Sequence, residues 1–210
     1  MNVGINGLGR IGRNATHAIL KREDLGLNIV CINDPGADAE TFSHLLKYDS
    51  IRSTSHLQIG HAPNGITVED TEIPLLGELV PAKIPWEEYD VEVVIEASGF
   101  FNERAKAAQH LTRTGVRKVV LSAPCADADI TIVRGVNDDD YDAQKHHVIS
   151  NASCTTNCLA PIVSVLHEKY GIESGFMNTV HAYTSDQKLH DGPHKDLRRA
   201  RMATKSMIPT

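Results

Sequence analysis

Two segments of this chain hold residue types whose spacing could do chemistry. The first is Ser150-Asn151-Ala152-Ser153-Cys154-Thr155-Thr156-Asn157-Cys158, which straddles a loop and the expected start of a helix. A thiol with the ordinary pKa of about 8.5 is only a few per cent thiolate at neutral pH. A helix N-terminus favours the anion, and a histidine partner favours it further. Cys154 is therefore the candidate nucleophile, and His181, at the end of Thr179-Val180-His181, the candidate base. Cys154 and Cys158 also fit two blander readings, inert buried thiols or half of a metal site. Four-residue spacing on a helix does bring side chains together. Cys158, beside Leu159 and Ile162, is expected to face the core, and the remaining His pairs lack zinc spacing, so no metal is expected. Pattern alone leaves catalytic and inert readings of Cys154 open.

The second segment is Gly7-Leu8-Gly9-Arg10-Ile11-Gly12, between an expected strand and an expected helix. In that context Gly7 permits a tight turn, Gly9 lets backbone approach a pyrophosphate, and Gly12 allows close helix–strand packing. The pyrophosphate would meet the N–H groups and positive end of the helix. Asp34, at the end of the next strand, could accept hydrogen bonds from ribose hydroxyls and repel a 2′-phosphate. It could equally be a turn residue before Pro35. Strand, glycines, helix and Asp34 together point to a dinucleotide, NAD rather than NADP.

The elements that must position these residues follow from periodicity. Asn2 to Asn6 reads as a strand, Ile11 to about Arg22 as a helix with Ile11, Ala15, Ala18 and Ile19 inward, and Asn28 to Asn33 as a buried parallel strand. Asn64-Gly65, between two alternating runs, predicts a hairpin with positive φ at both positions. Val91 to Ala97 and Val116 to Leu121 predict strands, with a helix from Asn102 to about Thr114 between them, stopped at Gly115. Asp129 to Val136 and His147 to Ile149 predict two more. A helix from about Ser153 to Tyr170 should be kinked by Pro161 and end at Gly171, and Gly175 to Tyr183 is strand-like. The polar, basic stretch Thr184 to Lys205 is long for a structureless loop, which suggests function. The expected class is α/β, a Rossmann-type doubly wound NAD-binding domain over 1–152 followed by the start of an α+β catalytic domain over 153–210.

Bulk properties exclude several classes. A net charge of −6 disfavours nucleic acid and anionic membrane as partners. Four cysteines, with Cys31 and Cys125 in or beside apolar runs, do not make a secreted disulfide framework. No leader and no membrane-length apolar run is evident, so a cytoplasmic location is expected.

The residues also carry a resemblance. Val3-Gly4-Ile5-Asn6-Gly7 through Arg13, Asn33-Asp34-Pro35, Glu96-Ala97-Ser98-Gly99 and Ser122-Ala123-Pro124 resemble the cofactor domain of the glyceraldehyde-3-phosphate dehydrogenase family. Ser153 through Pro161 resembles its active-site signature, and His181 through Gln187 and Asp196 through Arg201 match further segments. The resemblance implies NAD-dependent oxidation and phosphorylation of glyceraldehyde 3-phosphate. Cys154 would form a thiohemiacetal and then a thioester cleaved by inorganic phosphate, with His181 as base. It implies cofactor contacts at Asn6, Gly7, Gly9, Arg10, Ile11, Gly12, Asp34, Ser98, Gly99 and Ser122. Ser153 and Thr155 would hold the attacking phosphate, and Thr184 and Asp186 would lie around the substrate phosphate. A homotetramer is implied as well. The family continues beyond Thr210, so the resemblance also implies a chain incomplete at its C-terminal side, unstable and inactive alone. Two rivals share the cysteine: erythrose-4-phosphate dehydrogenase, less favoured by Thr184, and a non-catalytic NAD-binding, redox-sensing module.

Overall fold

β1 (Asn2–Asn6), α1 (Arg10–Leu20) and β2 (Asn28–Asn33) make the expected strand–helix–strand unit. The computed structural model describes residues 1–210, the side chain of Glu23 excepted. β1 and β2 pair in parallel with Asn6 opposite Asn33, and their Val3, Ile5, Cys31 and Ile32 side chains are buried. α2 (Ala39–Lys47) follows, its first turn capped by the Asp38 carboxylate, which accepts from the Thr41 N–H at 2.8 Å. β3 (Tyr48–Asp49) and β4 (Ser53–Thr54) form a small ribbon of their own. β5 (Ile59–Ala62), β6 (Gly65–Val68) and β7 (Thr71–Leu76) form an antiparallel meander whose last strand joins β2 in parallel.

The sheet is completed by β8 (Val93–Glu96), β9 (Lys118–Leu121), β10 (Ile130–Thr131) and β11 (Val148–Ser150), with α3 (Arg104–Ala107) between β8 and β9. Its order is β10-β11-β9-β8-β1-β2-β7-β6-β5, and every neighbour from β10 to β7 is parallel. The stretch β7-β2-β1-β8-β9-β11 has the doubly wound order of a Rossmann-type sheet. The order reverses between β1 and β8, so their carboxyl ends open the crevice in which such sheets take ligands. Apolar side chains pack both faces. One cluster includes Ile5, Leu8, Phe42 and Ile66, the other Trp86, Val94, Val119 and Val148. α4 (Cys154–Tyr170) closes the first compact unit, Met1–Tyr170. The second unit is Gly171–Thr210, with one short 3-10 turn at Leu197–Ala200. Among the described residues, no helix is long and apolar enough to cross a membrane.

Several expectations need correction. The hairpin forms, but Ala62 pairs with Gly65, so Pro63 and Asn64 make the turn. Neither Asn64 nor Gly65 has positive φ. Pro63 fixes the first corner at negative φ, which excludes the mirror-image turn read from Asn-Gly alone. The inward face of α1 is Gly12, Thr16 and Ile19, while Ile11 is 49% exposed. The helix expected from Asn102 starts at Arg104 and tightens into 3-10 geometry over Ala108–Thr112. Asn102 donates to the Gly99 carbonyl, and Asp127 accepts from the Arg104 N–H at 2.9 Å. β10 keeps only two residues of 129–136. The helix expected from about Ser153 forms over Cys154–Tyr170 with Pro161 inside it, and Gly171 follows it at φ +69°, as expected of its stop. The strand expected over 175–183 does not form. Extended backbone needs a neighbour for its N–H and C=O groups, and none of the sheets of the described residues includes this segment.

Candidate active site

At the end of β1 the glycines have separate roles. Gly7 has φ +96°, and a Cβ there would lie 2.4 Å from the Ser98 nitrogen. Its N–H donates to the Asn33 carbonyl at 2.8 Å, pinning the turn to β2. A Cβ on Gly12 would lie 1.9 Å from the Gly7 carbonyl oxygen, so α1 can cross the loop only as glycine. Gly9 differs: its Cβ would meet nothing within 4 Å. No side chain caps α1, so its first-turn N–H groups are not committed to one. An open glycine at an uncapped helix start is a cradle that fits the pyrophosphate of a dinucleotide.

Asp34 fills the turn role its sequence suggests. Its Oδ1 accepts from the Gly36 N–H at 2.8 Å, and its Oδ2 accepts from the Leu8 N–H at 2.7 Å. The carboxylate thus ties the glycine loop to the end of β2, and its remaining lone pairs can accept from a ribose. Arg10 ion-pairs with the buried Asp49 carboxylate. Backbone N–H groups of Arg52 and Ile51 hold Asp49 below the usual carboxylate range, with Arg10 adding to them. Ser122 donates its N–H to the Glu96 carbonyl at 2.9 Å, and Gly99 turns at φ +80°. Asn6, Gly7, Gly9, Arg10, Ile11, Gly12, Asp34, Ser98, Gly99 and Ser122 all follow or end β1, β2, β8 and β9 at one edge of the sheet.

Sequence reasoning gave no role to Glu96, His110 or Trp86. Glu96 and His110 have fully buried side chains 3.0 Å apart, and Trp86 donates its indole N–H to His110 Nδ1 at 3.0 Å. Burial alone would push the Glu96 carboxyl up, but hydrogen bonds from His110, Ser98 and Asn6 outweigh it and hold it below its ordinary value. The available signal was a carboxylate ending an apolar strand, a place where a charge needs partners.

The nucleophile segment is built on the β11 edge. Ser150 donates to the Ala123 carbonyl at 2.9 Å, and its Oγ accepts from the Ala152 N–H at 3.1 Å. Ala152 is buried at φ +59°, a conformation costing an L-residue about 1 kcal/mol or more. No residue type in the sequence announces it. Ser153 then caps α4, its Oγ accepting from the Thr156 N–H at 3.0 Å. Asn157 braces the corner by donating to the Asn151 carbonyl at 2.7 Å. Cys154 is the first residue of a 17-residue helix and is exposed, with Thr155 half-buried beside it. Cys158 is exposed too, against expectation, because no residue of α4 is buried. The inert thiols lie elsewhere: burial pushes Cys31 up to about 12, and burial with the Asp127 carboxylate raises Cys125.

His181, Thr184 and Asp186 lie in the second unit and are exposed. His181 Nδ1 is 2.6 Å from the Ala182 carbonyl, which can only accept. In the neutral ring the basic lone pair is therefore on Nε2. The Thr184 N–H donates to Gln187 at 3.0 Å. Asp186 contacts His194 at 3.3 Å and Arg199 at 2.5 Å. Hydrogen bonds from His194 first and Arg199 second hold it below the usual range. Its carboxylate therefore positions the Arg199 guanidinium, and an anionic phosphate would meet that cation sooner than the carboxylate itself.

Residues 1–104 match the family model described as "Glyceraldehyde 3-phosphate dehydrogenase, NAD binding domain", and residues 153–210 match "Glyceraldehyde 3-phosphate dehydrogenase, C-terminal domain". Among curated relatives, glyceraldehyde-3-phosphate dehydrogenase of Streptomyces coelicolor is 53% identical over 100% of this chain and 62% of its own length. That of Geobacillus stearothermophilus is 52% identical with the same coverage, and glyceraldehyde-3-phosphate dehydrogenase 1 of Bacillus cereus is 51% identical over 99% of this chain and 61% of its own. The chain thus spans about three-fifths of the length of the relatives it matches. With both domain models and whole-chain identity in agreement, the chain belongs to the glyceraldehyde-3-phosphate dehydrogenase family.

Proposed function

We propose that the whole protein oxidises D-glyceraldehyde 3-phosphate with NAD and inorganic phosphate to give 1,3-bisphosphoglycerate. The observation that carries this reading is Cys154, an exposed thiol on the first residue of a capped helix, in a family whose relatives bear that enzyme's name. The division at 152/153 into a cofactor domain and the start of a catalytic domain is part of the same proposal. NAD would be held by the glycine loop, Asp34, Asn6 and the Ser98-Gly99 turn, and when bound it supplies the acceptor for the aldehyde's hydride. The chain's own residues do the rest. Cys154 as thiolate attacks the aldehyde carbon and gives a thiohemiacetal. His181 Nε2 takes the hydroxyl proton as that carbon is oxidised to the thioester. Inorganic phosphate, steadied by Ser153 and Thr155, then displaces the thiolate and leaves the acyl phosphate.

Thr184 and the Arg199 held by Asp186 would face the substrate phosphate. The family resemblance supports a homotetramer and a cytoplasmic location; sedimentation and fractionation would test them. The catalytic test is NAD reduction by the whole protein with glyceraldehyde 3-phosphate, with and without inorganic phosphate. Turnover should require phosphate, and Cys154→Ser should lower it by at least about a thousandfold. Faster turnover on erythrose 4-phosphate would favour the rival substrate. Full activity in Cys154→Ser would remove the mechanism.

A further inference from the structure

Asn33, Asn6 and Glu96 stand side by side in register at the carboxyl ends of β2, β1 and β8. Their hydrogen bonds have a direction that fixed donors at both ends impose. At one end the Glu78 N–H donates to Asn33 Oδ1 at 2.8 Å, so the Asn33 amide must turn its NH2 toward Asn6 Oδ1, 2.7 Å away. Asn6 is then left with its own NH2 facing Glu96 Oε2 at 2.6 Å. At the other end the Trp86 indole can only donate, so His110 Nδ1 accepts, and the neutral ring carries its proton on Nε2, 3.0 Å from the same Oε2. Oε1 receives the Ser98 N–H at 2.8 Å and the Ser98 hydroxyl at 2.5 Å. Both chains of donors end on one carboxylate, and all four lone-pair positions are taken.

We propose that Glu96 is the positioning residue of the dinucleotide site, the shared acceptor that sets the Asn6–Gly12 loop and the Ser98–Gly99 turn at a fixed separation. The inference rests on the dinucleotide reading of those loops. Glu96 itself is fully buried; it acts through Asn6 and Ser98. A neutral amide of the same shape cannot replace it. Wherever Gln turned its NH2, that group would face either the Asn6 and His110 donors or the Ser98 N–H. A donor would then be set against a donor, and one loop would be pushed away.

The test is Glu96→Gln in the whole protein, with NAD binding measured directly by calorimetry and turnover measured at saturating NAD. Kd for NAD should rise about 10- to 100-fold, the weight of one or two lost charge-assisted bonds. kcat at saturation should change less than about threefold, because the loops are mis-set and the Cys154 chemistry is not. Equal loss in kcat with unchanged Kd, or no change in either, overturns the proposal. If Glu96→Gln does not fold, His110→Leu decides. It removes one donor and keeps the carboxylate, so Kd should rise several-fold, and an unchanged Kd overturns the proposal. Wild-type protein that binds no NAD would instead bring down the dinucleotide reading itself.

Discussion

α1 and α4 both start just past the carboxyl end of a parallel strand, and their first turns are built in opposite ways. α1 follows Gly9 with no side-chain cap, and no Cβ crowds that glycine. α4 follows Ser153, whose hydroxyl takes up the Thr156 N–H, after an Ala152 held in the left-handed region. The difference matches what each end is proposed to hold. A diffusible anion must find N–H groups unoccupied and backbone exposed. A thiolate bonded to the chain needs only the helix field and a fixed position, so a hydroxyl can cap the turn without displacing it.

Breaking the α1 end should have the largest effect. Gly12→Ala puts a methyl group 1.9 Å from the Gly7 oxygen, so backbone must move. We expect a loss of about 3 kcal/mol or failure to fold, read by thermal melting; an unchanged melt would mean the helix does not need this approach. Gly9→Ala tests the other half of the contrast. Nothing lies within 4 Å of its added carbon, so stability should hold within about 0.5 kcal/mol while NAD affinity falls about tenfold or more. Retained affinity would show that the open side of Gly9 is not where the ligand lies.

The same contrast explains what the sequence could tell. β1 and β2 were legible to the residue, β2 because Ile29 to Ile32 is a continuous apolar run of the kind covered on both faces, β1 because Val3 and Ile5 lead straight into the glycine loop. The glycine loop was legible because only glycine fits at Gly7 and Gly12. What escaped depended on partners distant in sequence. Glu96 and His110 are 14 residues apart, and only the packed sheet shows their contact. Ala152 lies in a conformation its type disfavours, so no local signal marks it. Cys158 was placed in the core because its neighbours are apolar, yet Ile162 is 57% exposed, and apolar periodicity cannot say whether anything covers a helix face.

Acid should separate the two helix starts. The α1 loop hangs on the Glu96 carboxylate, whose pKa lies below its ordinary 4.5 in the folded chain, whereas the α4 cap is a hydroxyl that does not titrate. A carboxyl with a lowered folded pKa contributes stability that is fully present above its unfolded value and is lost as pH falls through the folded one. Below about pH 4.5, therefore, wild-type stability should fall more steeply than that of Glu96→Gln, which has already lost the contribution at neutral pH. Parallel acid unfolding of the two proteins would mean the carboxylate is not what holds the loop.

The smallest effect is expected at the α4 cap. Ser153→Ala leaves the Thr156 N–H without its 3.0 Å acceptor and takes away the hydroxyl 2.8 Å from Thr156 Oγ1. Loss of such a cap costs about 1 kcal/mol, which melting would resolve. Cys154 should nonetheless keep its alkylation rate within about threefold, because the helix field comes from the whole first turn and not from one capped N–H. A large drop in thiol reactivity with little change in melting would invert the assignment. Ser153 would then act on the sulfur rather than on the helix, and the two helix starts would be alike in leaving their backbone donors to the anion they hold.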